Sequence, residues 1–218
     1  MLYFLYNWGG INKTLFIYVN QLTNIYLLPK ILHLFSQIFF IGNFAFIYII
    51  LCINFYIKIK NSNNKQFDFQ HIYNKLVRIG IIYSFFGLTF SLLKFSINMP
   101  RPFCSLNAYD FITIADITRE RCLSSFPSAH TGLALLVTYF LYPYLNNILK
   151  IIMLTVVLIV AISRITLAMH FPADIIYSLI VTFGVISIGN LIYLKLQNNI
   201  IKSIGNSIFQ LIFSGKKI

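Results

Sequence analysis

The chain has 218 residues, of which 58% are hydrophobic and 10% are charged, and its mean hydropathy is +0.78. Soluble domains carry about 25% charged residues, so this composition argues against a soluble globular protein and against a disordered one. The net charge of +12 indicates an excess of Lys and Arg on the cytoplasmic side of a membrane, near anionic lipid headgroups. It does not indicate nucleic-acid binding, because no soluble basic face is available. We therefore predict a single integral membrane domain over residues 1–218.

Apolar runs long enough to cross a bilayer, which takes about 20 residues per helix, occur five times in the chain. In chain order they cover residues 31–57, 79–97, 131–145, 148–169 and 172–194. The first 30 residues are more polar, so residues 15–28 are predicted to lie in the membrane interface, with a partial first span as the alternative. Residues 200–213 are predicted to form a second interfacial helix within a tail at 195–218. The predicted fold class is all-α: a membrane bundle of five to six transmembrane helices with an interfacial N-terminal helix.

Five spans divide the basic residues unequally between the two sides of the membrane. Ten fall on one side: Lys58, Lys60, Lys65, Lys75, Arg78, Lys150, Lys195, Lys202, Lys216 and Lys217. Seven fall on the other: Lys13, Lys30, Lys94, Arg101, Arg119, Arg121 and Arg164. Three of these seven are assigned to a site below, so the ten-residue side is predicted to be cytoplasmic. We expect a bacterial inner-membrane protein whose loop 98–130 faces the periplasm, and whether Cys104 and Cys122 form a disulfide there is left open.

Polar and ionisable side chains gather at the predicted outer ends of spans two to five, where they are costly unless they have a function. They are Lys94, Arg101, Ser128, His130, Arg164, His170 and Asp174. Because consecutive spans run in opposite directions, these ends meet on one face of the membrane. Three cations with one carboxylate among them predict an anion site, since guanidinium groups match phosphate oxygens. Pro127 predicts a helix start whose free N–H groups, near Ser128 and Ala129, add phosphate donors.

Two histidines and the carboxylate supply the chemistry. Asp174 lies four residues after His170, a spacing at which it can accept the Nδ1–H of the imidazole and leave Nε2 free to attack phosphorus. His130 can then protonate the departing oxygen and later deprotonate water. The sequence has no carboxylate cluster for Mg²⁺ or Ca²⁺, so the reaction is predicted to need no metal or other cofactor. His33 and His71 belong to no motif and are interpreted as incidental.

Three segments carry a resemblance to a known family: Lys94-FSINMP-Arg101-Pro102, Pro127-Ser128-Ala129-His130 and Ser163-Arg164-ITLAM-His170-FPA-Asp174. Over about residues 90–175 they resemble the three signatures of the type 2 phosphatidic acid phosphatase superfamily. The resemblance implies a phosphohistidine at His170, with Asp174 as its partner and His130 as the leaving-group acid. It implies that the phosphate is bound by Lys94, Arg101, Ser128 and Arg164. Ala129 replaces the usual Gly of the family, and we expect its Cβ to alter substrate tolerance without removing its N–H donor.

The resulting hypothesis is a membrane lipid phosphatase that acts on phosphatidic acid, phosphatidylglycerol phosphate, undecaprenyl diphosphate or lipid A. Two alternatives remain at this stage. One is a non-catalytic protein that binds or transports anionic lipid, and the other is a phosphotransferase with an acceptor other than water. The expected partners are the lipid phosphate and membrane lipids, with no nucleic acid and no protein partner implied.

Overall fold

The computed structural model describes residues 6–112 and 120–214, without the side chain of Ser214. Arg119, Lys216 and Lys217, which enter the charge count above, lie outside these residues. The main helices are α1 (Ile11–Thr23), α2 (Leu28–Ile38), α3 (Ile41–Lys60), α4 (Lys65–Ile97), α5 (Ala129–Leu141), α6 (Asn147–Thr166), α7 (Pro172–Leu196) and α8 (Lys202–Phe209). Single helical turns occupy Trp8–Gly10, Pro102–Ser105 and Tyr142–Tyr144, and π-helical segments occupy Gln197–Ile201 and Gln210–Ser214.

The described residues contain no strand, which confirms the prediction of an all-α membrane protein. Within them, four helical segments are long and apolar enough to cross a membrane: α3, α4, α6 and the helical run from Pro172 to Phe213 that begins with α7. The predicted span at 131–145 is shorter than expected, because α5 has 13 residues where about 20 are needed. Pro143 lies in the tight turn that follows α5 and lacks the N–H that would continue the helix.

The predicted span at 31–57 is two helices rather than one. α2 and α3 meet at Phe39 and Phe40, whose N–H groups bond three residues back instead of four. Such short bonds close a final turn and end the helix. Phe39 is buried in a cluster with Ala134 and Val160. The break therefore comes from packing between distant segments, which a continuous apolar run does not reveal.

The two interfacial helices differ from the prediction in their bounds. The N-terminal helix predicted at 15–28 is α1, which begins and ends earlier, at Ile11 and Thr23. The helix predicted at 200–213 is not separate: it continues the helical run of α7 through Gln197–Ile201 into α8.

The chain divides into two compact units, and the boundaries between them fall after Ile41, within α4 and within α7. The first unit is formed by the described residues of Met1–Ile41 and Leu88–Phe183. In it, α6 packs against α1, α2 and α5. The interpretation of the chain as one domain stays a prediction.

α1 presents a polar stripe to the interior of the first unit. Asn12, Phe16 and Asn20 lie four residues apart on one face and are buried, whereas Tyr18 and Leu22 are exposed. The Asn20 side-chain amide donates to the main-chain carbonyls at the end of α6, including that of Thr166 at 2.9 Å. The Asn12 side-chain oxygen accepts the N–H of Ala173 at 2.9 Å. α1 therefore satisfies backbone groups on both sides of the α6–α7 loop, where the candidate site lies.

The second unit consists of the described residues of Gly42–Gly87 and Gly184–Ile218. Its core contains Ile59 of α3 with Phe69 and Ile72 of α4, and Phe209 and Phe213 pack against them. The Tyr48 hydroxyl donates to the carbonyl of Leu76 at 2.9 Å, which ties α3 to α4.

Candidate active site

The loop between α6 and α7 follows a path set by the end of α6. Ala168 has φ +54°, and the N–H groups of Ala168 and Met169 bond back to the carbonyls of Ile165 and Arg164. This is a Schellman helix end, with Ala in the left-handed position that Gly usually takes. The N–H of His170 also donates to the Arg164 carbonyl, at 3.1 Å. One predicted phosphate ligand and the predicted nucleophile are thus joined through the backbone.

His170 and Asp174 are both buried at the start of α7, 2% and 0% exposed in their side chains. Asp174 is the third residue of the helix, and its Oδ2 accepts the N–H of Phe171 at 2.8 Å. An acid at this position commonly reaches back to the residue that precedes the helix. The His170 Nδ1 atom lies 3.6 Å from Asp174 Oδ2, which is within ion-pair range but longer than a hydrogen bond.

Two further donors hold the Asp174 carboxylate. The Tyr6 hydroxyl donates to Oδ1 at 2.8 Å, and the Ser125 hydroxyl donates to Oδ2 at 2.5 Å. Burial and the adjacent Asp174 charge raise the pKa of Tyr6, so its hydroxyl remains protonated and acts as a donor. Every oxygen of this buried carboxylate therefore has a fixed hydrogen-bond partner.

Lys94 and Arg101 reach the site from the end of α4. Asn98 has φ +48° directly after α4 ends, a conformation that Asn tolerates better than most residues. The chain then runs beside residues 122–125, where the Arg101 N–H donates to the Cys122 carbonyl at 2.9 Å. The Lys94 ammonium donates to the Ser124 carbonyl at 2.7 Å. These contacts fix the two cations against the segment that leads into α5.

Cys104 and Cys122 form a disulfide with a Cα–Cα distance of 5.7 Å. The sequence left this pairing open. The bond joins the turn that follows Arg101 to the segment that leads to Ser128, so it holds together the two segments that carry these predicted ligands.

α5 begins at Ala129 and directs its free N–H groups into the same region. Ser128 precedes the helix, is fully buried, and donates its own N–H to the Asp174 carbonyl at 3.3 Å. The Ser178 hydroxyl of α7 donates to the Ser128 carbonyl at 2.7 Å. The N–H groups of the first helical turn have no partner within a helix, so they are available to an anion. His130 lies in this turn, with its ring centroid 6.4 Å from that of Phe40.

The guanidinium groups of Arg101 and Arg164 are buried, with 8% and 6% of each residue exposed. Arg101 Nη1 contacts Glu120 Oε2 at 2.5 Å and Met169 Sδ at 3.0 Å. Arg164 Nη1 donates to the Ser36 hydroxyl at 3.4 Å. Within the described part of the chain, Nε of both arginines and Nδ1 of His170 are buried without a hydrogen-bond partner. Buried polar atoms of this kind are rare in folded proteins, and these three are available to a ligand.

Burial lowers the pKa of His170 well below its ordinary value, and the positive charges of Lys94, Arg164 and Arg101 lower it further. The imidazole is therefore neutral. A neutral imidazole has the free lone pair that a nucleophile needs. All three predicted cations thus act on the predicted nucleophile, together with a smaller effect of His130.

Several residues of the site were not predicted from the sequence. Tyr6, Ser36 and Glu120 come from segments that carry no motif, and only Ser125, two residues before Pro127, was near enough to one to be suspected. His33 contacts Gln37 within α2, at 2.8 Å between the two Nε2 atoms, and its interpretation as incidental stays a prediction.

No three His, Cys, Asp or Glu side chains of residues 6–112 and 120–213 are grouped to hold a metal ion. A reaction without metal stays a prediction, as do the catalytic and ligand roles given to the motif residues.

Two solved structures share this fold. LpxE from Aquifex aeolicus matches with a TM-score of 0.62 and 20% identity, over 82% of this chain and 94% of its own. The first transmembrane PAP2-type phosphatidylglycerolphosphate phosphatase from Bacillus subtilis matches with a TM-score of 0.58 and 18% identity, over 86% of this chain and 88% of its own. No curated protein sequence gives a significant match.

The family model of the PAP2 superfamily matches residues 75–199, which is more than half of the chain. This match covers all three motifs and every predicted site residue, from Lys94 to Asp174. The earlier resemblance is thereby confirmed, and the chain belongs to the PAP2 superfamily.

Proposed function

We propose that the protein is a membrane phosphatase that removes phosphate from a lipid headgroup through a phosphohistidine intermediate. The observation that supports this most directly is the buried His170, whose Nδ1 lies 3.6 Å from Asp174 Oδ2 and whose pKa is lowered by burial and by the charges of Lys94, Arg164 and Arg101. A site that only binds anionic lipid needs the cations but has no need of a nucleophile held against a carboxylate.

The binding step uses the cations and the start of α5. The unpartnered Nε atoms of Arg101 and Arg164 offer charged donors to the phosphoryl oxygens, and Lys94 adds a point charge. The free N–H groups that begin with Ala129 supply further donors. These groups also stabilise the negative charge that the phosphoryl oxygens carry in the transition state.

The chemical step transfers the phosphoryl group twice. Nε2 of His170 attacks phosphorus, the bond to the lipid oxygen breaks, and His130, which takes up a proton when the phosphate anion binds, gives that oxygen the proton. Asp174 stabilises the positive charge that the His170 ring gains, from a starting distance of 3.6 Å that shortens as the ring becomes charged. His130 then takes a proton from water, the resulting hydroxide attacks phosphorus, and inorganic phosphate leaves with His170 restored.

The site is proposed to face the periplasm of a bacterial inner membrane. The Cys104–Cys122 disulfide supports this orientation, because disulfides persist in oxidising compartments. The basic residues of the second unit, which include Lys58, Lys60 and Lys195, suit the cytoplasmic side.

Phosphate release by the purified full-length protein tests the proposal. The substrates are phosphatidic acid, phosphatidylglycerol phosphate, undecaprenyl diphosphate and lipid A, each in mixed micelles and with or without EDTA. We expect release from at least one of them, insensitive to EDTA, and lost by about 10³-fold or more in His170→Ala. His71→Ala is the matched control, because His71 is exposed, lies in the second unit and belongs to no motif.

Two outcomes would reject this function: lipid binding by the wild-type protein without phosphate release, or full release by His170→Ala. Rapid quenching with radiolabelled substrate should trap a label that is stable to alkali and labile to acid, as a phosphohistidine is. In ¹⁸O-enriched water, hydrolysis incorporates the isotope into the released phosphate, whereas transfer to another acceptor does not.

A further inference from the structure

The Asp174 carboxylate cannot rotate freely, because each of its oxygens has a donor. Oδ1 accepts the Tyr6 hydroxyl at 2.8 Å, and Oδ2 accepts the Phe171 N–H at 2.8 Å together with the Ser125 hydroxyl. Oδ2 is also the oxygen that lies 3.6 Å from His170 Nδ1. The orientation of the carboxylate toward the imidazole therefore depends on the donor at the opposite oxygen.

Tyr6 is itself held in place on two sides. Its ring packs edge-on against Phe126 and Phe171, at centroid distances of 6.3 and 6.2 Å. Phe126 directly precedes Pro127, and Phe171 directly follows His170. The position of the Tyr6 hydroxyl is thus set by one residue that adjoins the second motif and by one that lies within the third. Aromatic contacts of this kind hold the ring rigidly and leave the polar end to its hydrogen bond.

Removal of this one donor would change the carboxylate without removing any group that touches the substrate. Oδ1 would be buried and unpaired, which is costly for an ionised group. Rotation about the bond to the carboxylate carbon would let both oxygens compete for the donors at Oδ2. The oxygen that faces His170 would then no longer be fixed.

We propose that Tyr6, from the segment that precedes α1, is a positioning residue that orients Asp174 toward His170. This inference rests on the proposed function, in which His170 is the nucleophile. Tyr6 acts through Asp174, so its loss should slow the chemical step and leave phosphate binding to the arginines and Lys94 intact.

The test compares Tyr6→Phe with wild-type protein and with Tyr18→Phe, which removes a hydroxyl from an exposed ring on α1. The substrate is dioleoyl phosphatidic acid or whichever panel lipid the wild-type protein hydrolyses. We expect Tyr6→Phe to lower kcat by roughly 10- to 100-fold, the effect of losing one charge-assisted hydrogen bond, with KM nearly unchanged. The acidic limb of its kcat profile should move up by about one pH unit, because a carboxylate with one donor fewer binds a proton more readily.

A purely structural role for Tyr6 would not shift the pH profile. The inference is overturned if Tyr6→Phe keeps the wild-type kcat and pH profile, if only its KM changes, or if kcat falls in proportion to the folded fraction seen in thermal unfolding. If the wild-type protein releases no phosphate from any lipid of the panel, the proposed function fails and this inference fails with it. If the wild-type protein is active and His170→Ala is not, a normal Tyr6→Phe overturns the inference alone.

Discussion

Glu120 occupies one of the guanidinium groups that the proposed substrate would need. Its Oε2 lies 2.5 Å from Arg101 Nη1, and the two side chains are 38% and 10% exposed. An incoming phosphate must share Arg101 with this carboxylate or displace it. The free energy of the Glu120–Arg101 ion pair is therefore subtracted from the free energy of substrate binding.

The magnitude can be worked from the exposure of the pair. A hydrogen bond to a charged group contributes about 1.5–3 kcal/mol, and screening of the part-exposed carboxylate reduces this to about 1–1.5 kcal/mol. Glu120→Gln removes the charge and keeps the shape. We expect it to lower KM for a phosphate lipid, and the inhibition constant of vanadate, by about 5- to 12-fold, with kcat little changed. The gain should shrink as salt is raised.

Steady-state phosphate release with vanadate as the competitor measures both constants. Asp110→Asn is the matched control, because it removes one negative charge from the same loop and Asp110 pairs with Lys13 instead, at 3.5 Å. If Glu120 served to hold Arg101 in its binding position, Glu120→Gln would weaken vanadate inhibition. That result, or no difference from Asp110→Asn, would refute the reasoning.

Two further predictions concern stability. Cys122→Ser removes the disulfide across a separation of 18 residues and should destabilise the first unit by about 3 kcal/mol. The thermal midpoint of the variant should be lower than that of the wild-type protein. Reducing agent should lower the midpoint of the wild-type protein and leave that of the variant unchanged. The pKa of His170 is lower in the folded protein than in the unfolded chain, where it is about 6.5. The contribution of His170 to the free energy of unfolding is therefore complete above about pH 6.5. It is lost as the pH falls below that value, by up to about 1.4 kcal/mol per pH unit. Thermal midpoints between about pH 7 and pH 5 should therefore fall less steeply in His170→Asn, and an unchanged slope would contradict the burial of a neutral imidazole.

The sequence was sufficient for the fold class because its main signals are local. Long apolar runs predicted α3, α4, α6 and α7, and Pro172 marked the start of α7. It failed at the break at Phe39, which tertiary packing decides, and at the short α5, which ends before Pro143. Both lie within runs of even hydropathy, so a window of about 20 residues registers neither of them.

The candidate site divides in the same way. The motif residues could be predicted because the chemistry of phosphate restricts them to cations, histidines and a carboxylate at fixed spacing. Tyr6 could not, because 168 residues separate it from Asp174 and a tyrosine near the N-terminus has no distinguishing pattern. Ser36 and Glu120 were missed for the same reason, since each acts on an arginine of another segment.

The structure gives a physical reason for the spacing in the third motif. Arg164 is the third residue from the end of α6, and its carbonyl receives the N–H groups of both Met169 and His170. A Schellman end fixes the first of these bonds, and the second places His170 six residues after Arg164. Asp174 must then be the third residue of α7 to accept the Phe171 N–H, which sets the distance of four from His170. The spacing of Arg164, His170 and Asp174 is therefore the spacing of one helix end joined to the next helix start. Such a joint holds the proposed catalytic groups at the ends of regular elements, where they are more rigid than on a free loop.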